Sequence, residues 1–216
     1  MAKNIEVNNG IKIIKSDKRA VISQGGIMIQ REGRPIQGEL TKVGFVYLVV
    51  DCSGSMSGDK LDQAQKGAFN FAKDALAKEY SIGLVQFESV ATHLCESTRD
   101  IEIFSKHLQR MELGGGTNMA EAIRLTTEKL KDKAGFRVMV IVTDGMPDNA
   151  QSALEEAREA KNNRIDIITI GTDDADEKFL KELASRSELN IMIAINQLGK
   201  GISLTVKMLP RYGKEG

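Results

Sequence analysis

The sequence predicts an α/β fold: a doubly wound, mostly parallel central sheet with one antiparallel edge strand, helices on both faces, and a short N-terminal β extension. Three observations predict it. Apolar runs at residues 43–50 and 136–142 are nearly continuous and bounded by turn residues, as strands buried on both faces require. Segments with helical spacing alternate with such runs, the pattern of strand–helix–strand crossovers. The short gap between residues 82–87 and 90–94 favours a hairpin, which makes one strand antiparallel at the sheet edge.

The elements follow in order. Before residue 42 the patterns are short and broken: residues 11–14 and 27–29 read as strands, with turns at Gly25-Gly26 and Glu32-Gly33. This β extension, residues 1–41, is either a hairpin against the sheet edge or a surface for a partner, with partial disorder as the alternative. Residues 42–209 form the main domain. After the strand at 43–50, Leu61, Ala64, Ala68, Ala72, Ala75 and Leu76 recur at helical spacing and predict a helix over 59–79. The hairpin strands come next, then a short helix over 101–109. Asn118 is placed to cap a helix whose apolar face is Met119, Ala122, Ile123, Thr126 and Leu130. The strand at 136–142 is followed by a helix marked by Ala153, Leu154, Ala157 and Ala160, and by a strand at 165–170. A helix carrying Phe179, Leu180, Leu183 and Ala184 leads to a last strand at 191–195. A final helix over 197–209 is weakened by Gly199 and Gly201 and stopped by Pro210. Residues 210–216 read as a flexible tail.

Composition narrows the function. Thirty basic residues balance thirty acidic ones in 216, Trp is absent, and no basic block is interleaved with aromatics. There is no global field to draw nucleic acid or an anionic membrane surface. No run approaches the roughly 18 uninterrupted apolar residues of a membrane helix. The N-terminus lacks the apolar stretch of a signal peptide, and the two cysteines, Cys52 and Cys95, are then expected as free thiols in a cytoplasmic protein.

Ligands of doubly wound sheets bind beyond the carboxyl ends of the strands. Five oxygen-bearing side chains fall there: Asp51, Ser53 and Ser55 after the first buried strand, Thr117 after three glycines, and Asp144 after the strand at 136–142. Hydroxyl and carboxylate oxygens are hard ligands, suited to Mg²⁺ or Mn²⁺, less to Ca²⁺, and not to Zn²⁺. In an extended segment Asp51, Ser53 and Ser55 would point the same way, with Gly54 permitting a sharp turn. Only two of the five carry charge, so an ion held this way stays electron-poor and open to an outside carboxylate. Each Ser or Thr alone reads as readily as a cap or turn residue. All three segments, each after an expected element, argue for one site.

These residues resemble the von Willebrand factor type A (vWA) family, whose metal-ion-dependent adhesion site (MIDAS) has the form Asp-x-Ser-x-Ser, a distant Thr and a distant Asp. Asp51, Ser53, Ser55, Thr117 and Asp144 match all five positions. The resemblance covers about residues 42–208 and implies a Rossmann-like fold. It implies direct metal contact by Ser53 and Ser55, contact by Thr117 directly or through water, and contact by Asp51 and Asp144 mostly through water. It further implies a non-enzymatic module in which a protein partner's Asp or Glu completes the ion's shell. In some members a shift of the Thr-bearing loop and the final helix changes affinity. Intracellular members sit in multiprotein assemblies, including the bacterial tellurium-resistance group, which points to a prokaryotic assembly or stress role.

Two rival readings remain. A Mg²⁺-dependent phosphoryl-transfer enzyme could use Asp51, but Gly114 to Asn118 lacks the Lys of a phosphate-cradling loop, and position 53 is Ser where aspartate-based phosphatases carry Asp. A structural module with a vestigial metal site is the other. His93 and His107 are the only histidines; His93, beside Cys95, reads as structural rather than as a zinc ligand.

Overall fold

Residues Gly44–Asp51 (β6) are buried along their whole length and form the centre of a six-stranded sheet. The computed structural model describes residues 44–210 in full and, before them, the backbone of five strands. These are β1 (Ile5–Asn8), β2 (Ile11–Ile14), β3 (Ala20–Ser23), β4 (Gly26–Arg31) and β5 (Arg34–Gly38). β1 and β2 pair antiparallel, as do β3, β4 and β5, in two small sheets that do not extend the main one. Of the alternatives read from the sequence, the pairing shows only that these strands are not hydrogen-bonded to the main sheet's edge. Gly26 opens β4 rather than closing a turn. The turn residues Gly25, Glu32 and Gly33 and the tail 211–216 lie outside the described residues.

The main sheet adds β7 (Tyr80–Phe87), β8 (Ala91–Thr98), β9 (Phe136–Thr143), β10 (Asp166–Thr172) and β11 (Asn190–Ile193), in the order β11-β10-β9-β6-β7-β8. Every pairing is parallel except β7 with β8, the expected edge hairpin. Helices α1 (Asp59–Ala77), α2 (Ile101–Leu108), α3 (Met119–Leu130), α4 (Ala150–Asn162), α5 (Glu177–Leu183) and α6 (Leu198–Leu204) cover it. The alternation along β6 assigns the two faces. Val46, Leu48 and Val50 pack with α1, α2 and α6. Phe45, Tyr47 and Val49 pack with α3, α4 and α5. Among the described residues no helix is long and apolar enough to cross a membrane.

Helix limits follow local chemistry. Asn118 caps α3 by accepting from the Glu121 N–H, as expected. Asp100, Asn149 and Asp176 cap α2, α4 and α5 in the same way. Glu79, at φ 65°, turns the chain out of α1.

Two expectations are corrected. Ile195 lies in a 3₁₀ turn, Ile195–Gln197, beyond the last strand. The final helix is α6 followed by a 3₁₀ segment, Thr205–Met208. Gly199 and Gly201, read from the sequence only as weak points, let it approach its neighbours. A Cβ on Gly199 would lie 2.7 Å from the Gln63 carbonyl oxygen of α1, and one on Gly201 2.2 Å from Ile193 Cδ1.

Candidate metal centre

β6 pairs with β7 on one side and β9 on the other, so the chain's winding reverses at its carboxyl end. That is where a doubly wound sheet opens a crevice. Asp51 is the last residue of β6 and is fully buried. Its Oδ1 accepts the Ser53 N–H at 2.8 Å, and its Oδ2 accepts the Thr143 hydroxyl at 2.6 Å. Ser53 is extended, but Ser55 lies in a 3₁₀ turn, Gly54–Met56. This turn, rather than extended spacing, brings the two serine hydroxyls to 2.9 Å from each other. Gly54 is not in the left-handed region, and a Cβ there would meet only the Gly114 carbonyl oxygen at 3.8 Å. The sharp-turn role read from its glycine is thus not the operative one.

Asp144 follows β9 and is 2% exposed. Its Oδ1 accepts the Ser55 hydroxyl at 2.7 Å, and its Oδ2 accepts the Lys60 ammonium at 2.6 Å. Burial pushes the Asp51 carboxyl above the usual carboxylate range; hydrogen bonds from Thr143 and Ser53 oppose this, and the charge of Asp144 adds to it. Two carboxylates at a buried strand end thus create a local demand for positive charge.

Thr117 lies on a separate loop, between α2 and α3. Its hydroxyl makes no hydrogen bond among the described residues. Its backbone is held firmly: Thr117 N–H donates to Asp148 Oδ2 at 2.9 Å, and Asp148 N–H donates to the Thr117 carbonyl at 3.0 Å. This pair of bonds joins the Thr117 loop to the Asp144 loop. Gly116 makes it possible, because a Cβ there would lie 2.7 Å from Asp148 Oδ2. The same loop is tied to the Asp51–Ser55 segment by Gly114 N–H to the Cys52 carbonyl at 2.8 Å. The Ser89 hydroxyl, in the turn of the edge hairpin, accepts from the Gly116 N–H at 2.9 Å.

Sequence reasoning singled out all five side chains but missed Thr143, Lys60 and Asp148. Asp148 carried a faint signal, a carboxylate four residues past Asp144 in a Pro147-Asp148-Asn149 loop. Asp148→Ala is expected to weaken divalent-ion binding about tenfold, the scale on which supporting residues orient a metal site, while melting changes little. A Mn²⁺ titration of the variant checks this.

Cys52, between two site residues, points into the core, and burial pushes its thiol up to about 12. Cys52 and Cys95 are both free and buried. His93 lies against the Tyr47 ring and within 3.6 Å of Glu96, away from the crevice. Among the described residues no three His, Cys, Asp or Glu side chains gather as a metal cage. A cation at the β6 end therefore relies on hydroxyls, and the donors fit it. Ser53, Ser55 and Asp144 present converging oxygens, and a positive group is already drawn onto Asp144.

The model of the von Willebrand factor type A domain matches residues 46–199. The chain belongs to that family. Human inter-alpha-trypsin inhibitor heavy chain H4 is 27% identical over 204 residues, covering 82% of this chain and 21% of that protein. The chain spans about a fifth of the length of the first curated relatives it matches. The vWF domain of the type V pili tip protein Mfa5 from Porphyromonas gingivalis superposes with a TM-score of 0.73 at 15% identity, covering 82% of this chain and 99% of that domain. Proximal thread matrix protein 1 of the mussel byssus, with a zinc-occupied MIDAS motif, gives 0.65 at 16% identity, covering 76% of this chain and 47% of that one. These two likenesses confirm the vWA fold; they do not carry their ligands to this chain.

Proposed function

We propose that this vWA domain is a divalent-metal-dependent protein-interaction module and that its crevice is a metal-ion-dependent adhesion site. The observation that carries the reading is the convergence of Ser53 Oγ, Ser55 Oγ and Asp144 Oδ1, linked at 2.9 and 2.7 Å beyond the end of β6. Ser53, Ser55 and Asp144 would hold the ion, with Thr117 completing the set from the opposite loop and Asp51 fixing the Ser53 backbone. When bound, the ion supplies a Lewis-acidic position able to accept a partner's Asp or Glu. Hydroxyl and carboxylate donors without Cys or His favour Mg²⁺ or Mn²⁺, with Ca²⁺ a weaker fit. The zinc in the mussel protein's structure belongs to that protein.

Support for a protein partner comes from the rim. Val90, Leu113 and Met146 are 53%, 45% and 45% exposed, on the loops that carry or brace the site. Apolar groups around a polar centre suit a surface that closes over a buried carboxylate. Asp51 is poorly placed as a phosphoryl-transfer nucleophile, because it is buried and both of its oxygens already accept hydrogen bonds. A cytoplasmic multiprotein assembly is the setting that belongs to the same proposal.

The test is a pull-down from native lysate with the full chain, in Mg²⁺ and in EDTA, with Ser53→Ala alongside. The expected result is a protein retained only by the wild type with Mg²⁺. Equal recovery in all three arms would move the interaction away from the crevice.

A further inference from the structure

Lys60 is unusual twice over. It lies in the first turn of α1, a helix of 19 residues, where the helix dipole disfavours a cation, while Asp59 and Asp62 beside it suit that end. Its side chain nevertheless leaves solvent: it is 20% exposed and donates to Asp144, whose side chain is fully buried, at 2.6 Å. The burial demands a partner, and the partner is a carboxylate of the metal centre. The same ammonium lies 3.8 Å from Asp174 Oδ2, in the loop after β10, and that carboxylate is 70% exposed. One lysine thus stands between a buried acceptor inside the site and a solvated acceptor outside it.

We propose that Lys60 is a tethered cation that competes with the divalent ion for Asp144, and that Asp174 receives its ammonium when the ion binds. The inference rests on the metal-binding reading above. Its logic is electrostatic. Asp51 and Asp144 carry two negative charges, and Lys60 returns one positive charge to them. A doubly charged ion held by Ser53 and Ser55 meets that ammonium across the buried Asp144 carboxylate, and like charges this close repel. Lys60 therefore stabilises the metal-free site and raises the ion concentration needed to fill it. The move to Asp174 is short, because that carboxylate is already within ion-pair distance.

The experiment is Mn²⁺ titration calorimetry on the full chain, comparing wild type, Lys60→Met, Lys60→Gln, Asp174→Asn, the double variant Lys60→Met/Asp174→Asn, and Ser53→Ala. Both Lys60 variants are expected to bind Mn²⁺ about tenfold to a hundredfold more tightly, the range a hydrogen bond to a charged group is worth. Asp174→Asn alone should weaken binding by up to about fivefold, as for an exposed pair, and should add no further loss in the Lys60→Met background. A second readout is melting in EDTA, where both Lys60 variants should melt below wild type because Asp144 is left uncompensated. If wild type binds Mn²⁺, Ser53→Ala does not, and the Lys60 variants bind no better than wild type, the competition is refuted while the metal site stands. Binding by neither wild type nor Lys60 variants would remove the metal reading and this inference with it.

Discussion

Asp144→Ala is expected to weaken Mn²⁺ binding by at least roughly a hundredfold, with the fold retained. Residues that merely orient metal ligands cost about 10–100-fold when removed, so a carboxylate in the cluster itself should reach the top of that range. Asp144 and Asp51 are the acidic side chains buried at the end of β6 and β9 among the described residues, and the two Asp144 oxygens organise Ser55 and Lys60. Its loss leaves Ser53, Ser55 and Thr117 as neutral donors, with Asp51 the nearby carboxylate and both of its oxygens already engaged by Ser53 and Thr143. Folding should survive, because Ser55 is exposed and Lys60 only partly buried, so both can turn to water. Mn²⁺ calorimetry beside a melting curve separates the two effects. Retained affinity in Asp144→Ala would mean that the ion sits elsewhere.

Gly67→Ala is expected to destabilise the domain although it adds helix propensity. Gly67 lies on the buried face of α1, and a Cβ there would sit 2.5 Å from the Gly199 carbonyl oxygen of α6. Alanine gains up to about 1 kcal/mol over glycine in a helix interior. Overpacking typically costs about 1–3 kcal/mol, and the obstacle here is backbone, which cannot rotate away as a side chain can. The balance favours a net loss of about 1–2 kcal/mol, or a melting point lower by about 2–8 °C for a domain of this size. Lys73→Ala, on the exposed side of the same helix, should change little and serves as the control. A melting point for Gly67→Ala above wild type would show that the α1–α6 crossing yields easily.

The sheet was legible because parallel strands buried on both faces leave continuous apolar runs, and β6 and β9 have them. The edge hairpin was legible from the short gap after Phe87. Asp51, Ser53, Ser55 and Asp144 were legible because their spacing follows strand ends, which the fold draws together. What brings Ser53 and Ser55 into contact was not: the 3₁₀ turn at Gly54–Met56 is a local backbone choice that alternation cannot express. The packing role of Gly199 and Gly201 is hidden for a related reason. In sequence a glycine in a helix signals weakness, whereas here each one marks a close approach that only three-dimensional packing reveals. Asp148 and Lys60 act across loops, Asp148 onto Thr117 and Lys60 onto Asp144, at separations no periodicity encodes.

The most direct test of a divalent ion at this crevice is an anomalous difference map from a crystal of the full chain soaked in Mn²⁺. One strong peak per chain is expected within bonding distance of Ser53 Oγ and Ser55 Oγ, beside Asp144, and it should be lost in Ser53→Ala crystals. A peak held by other residues, or none at saturating Mn²⁺, would contradict it.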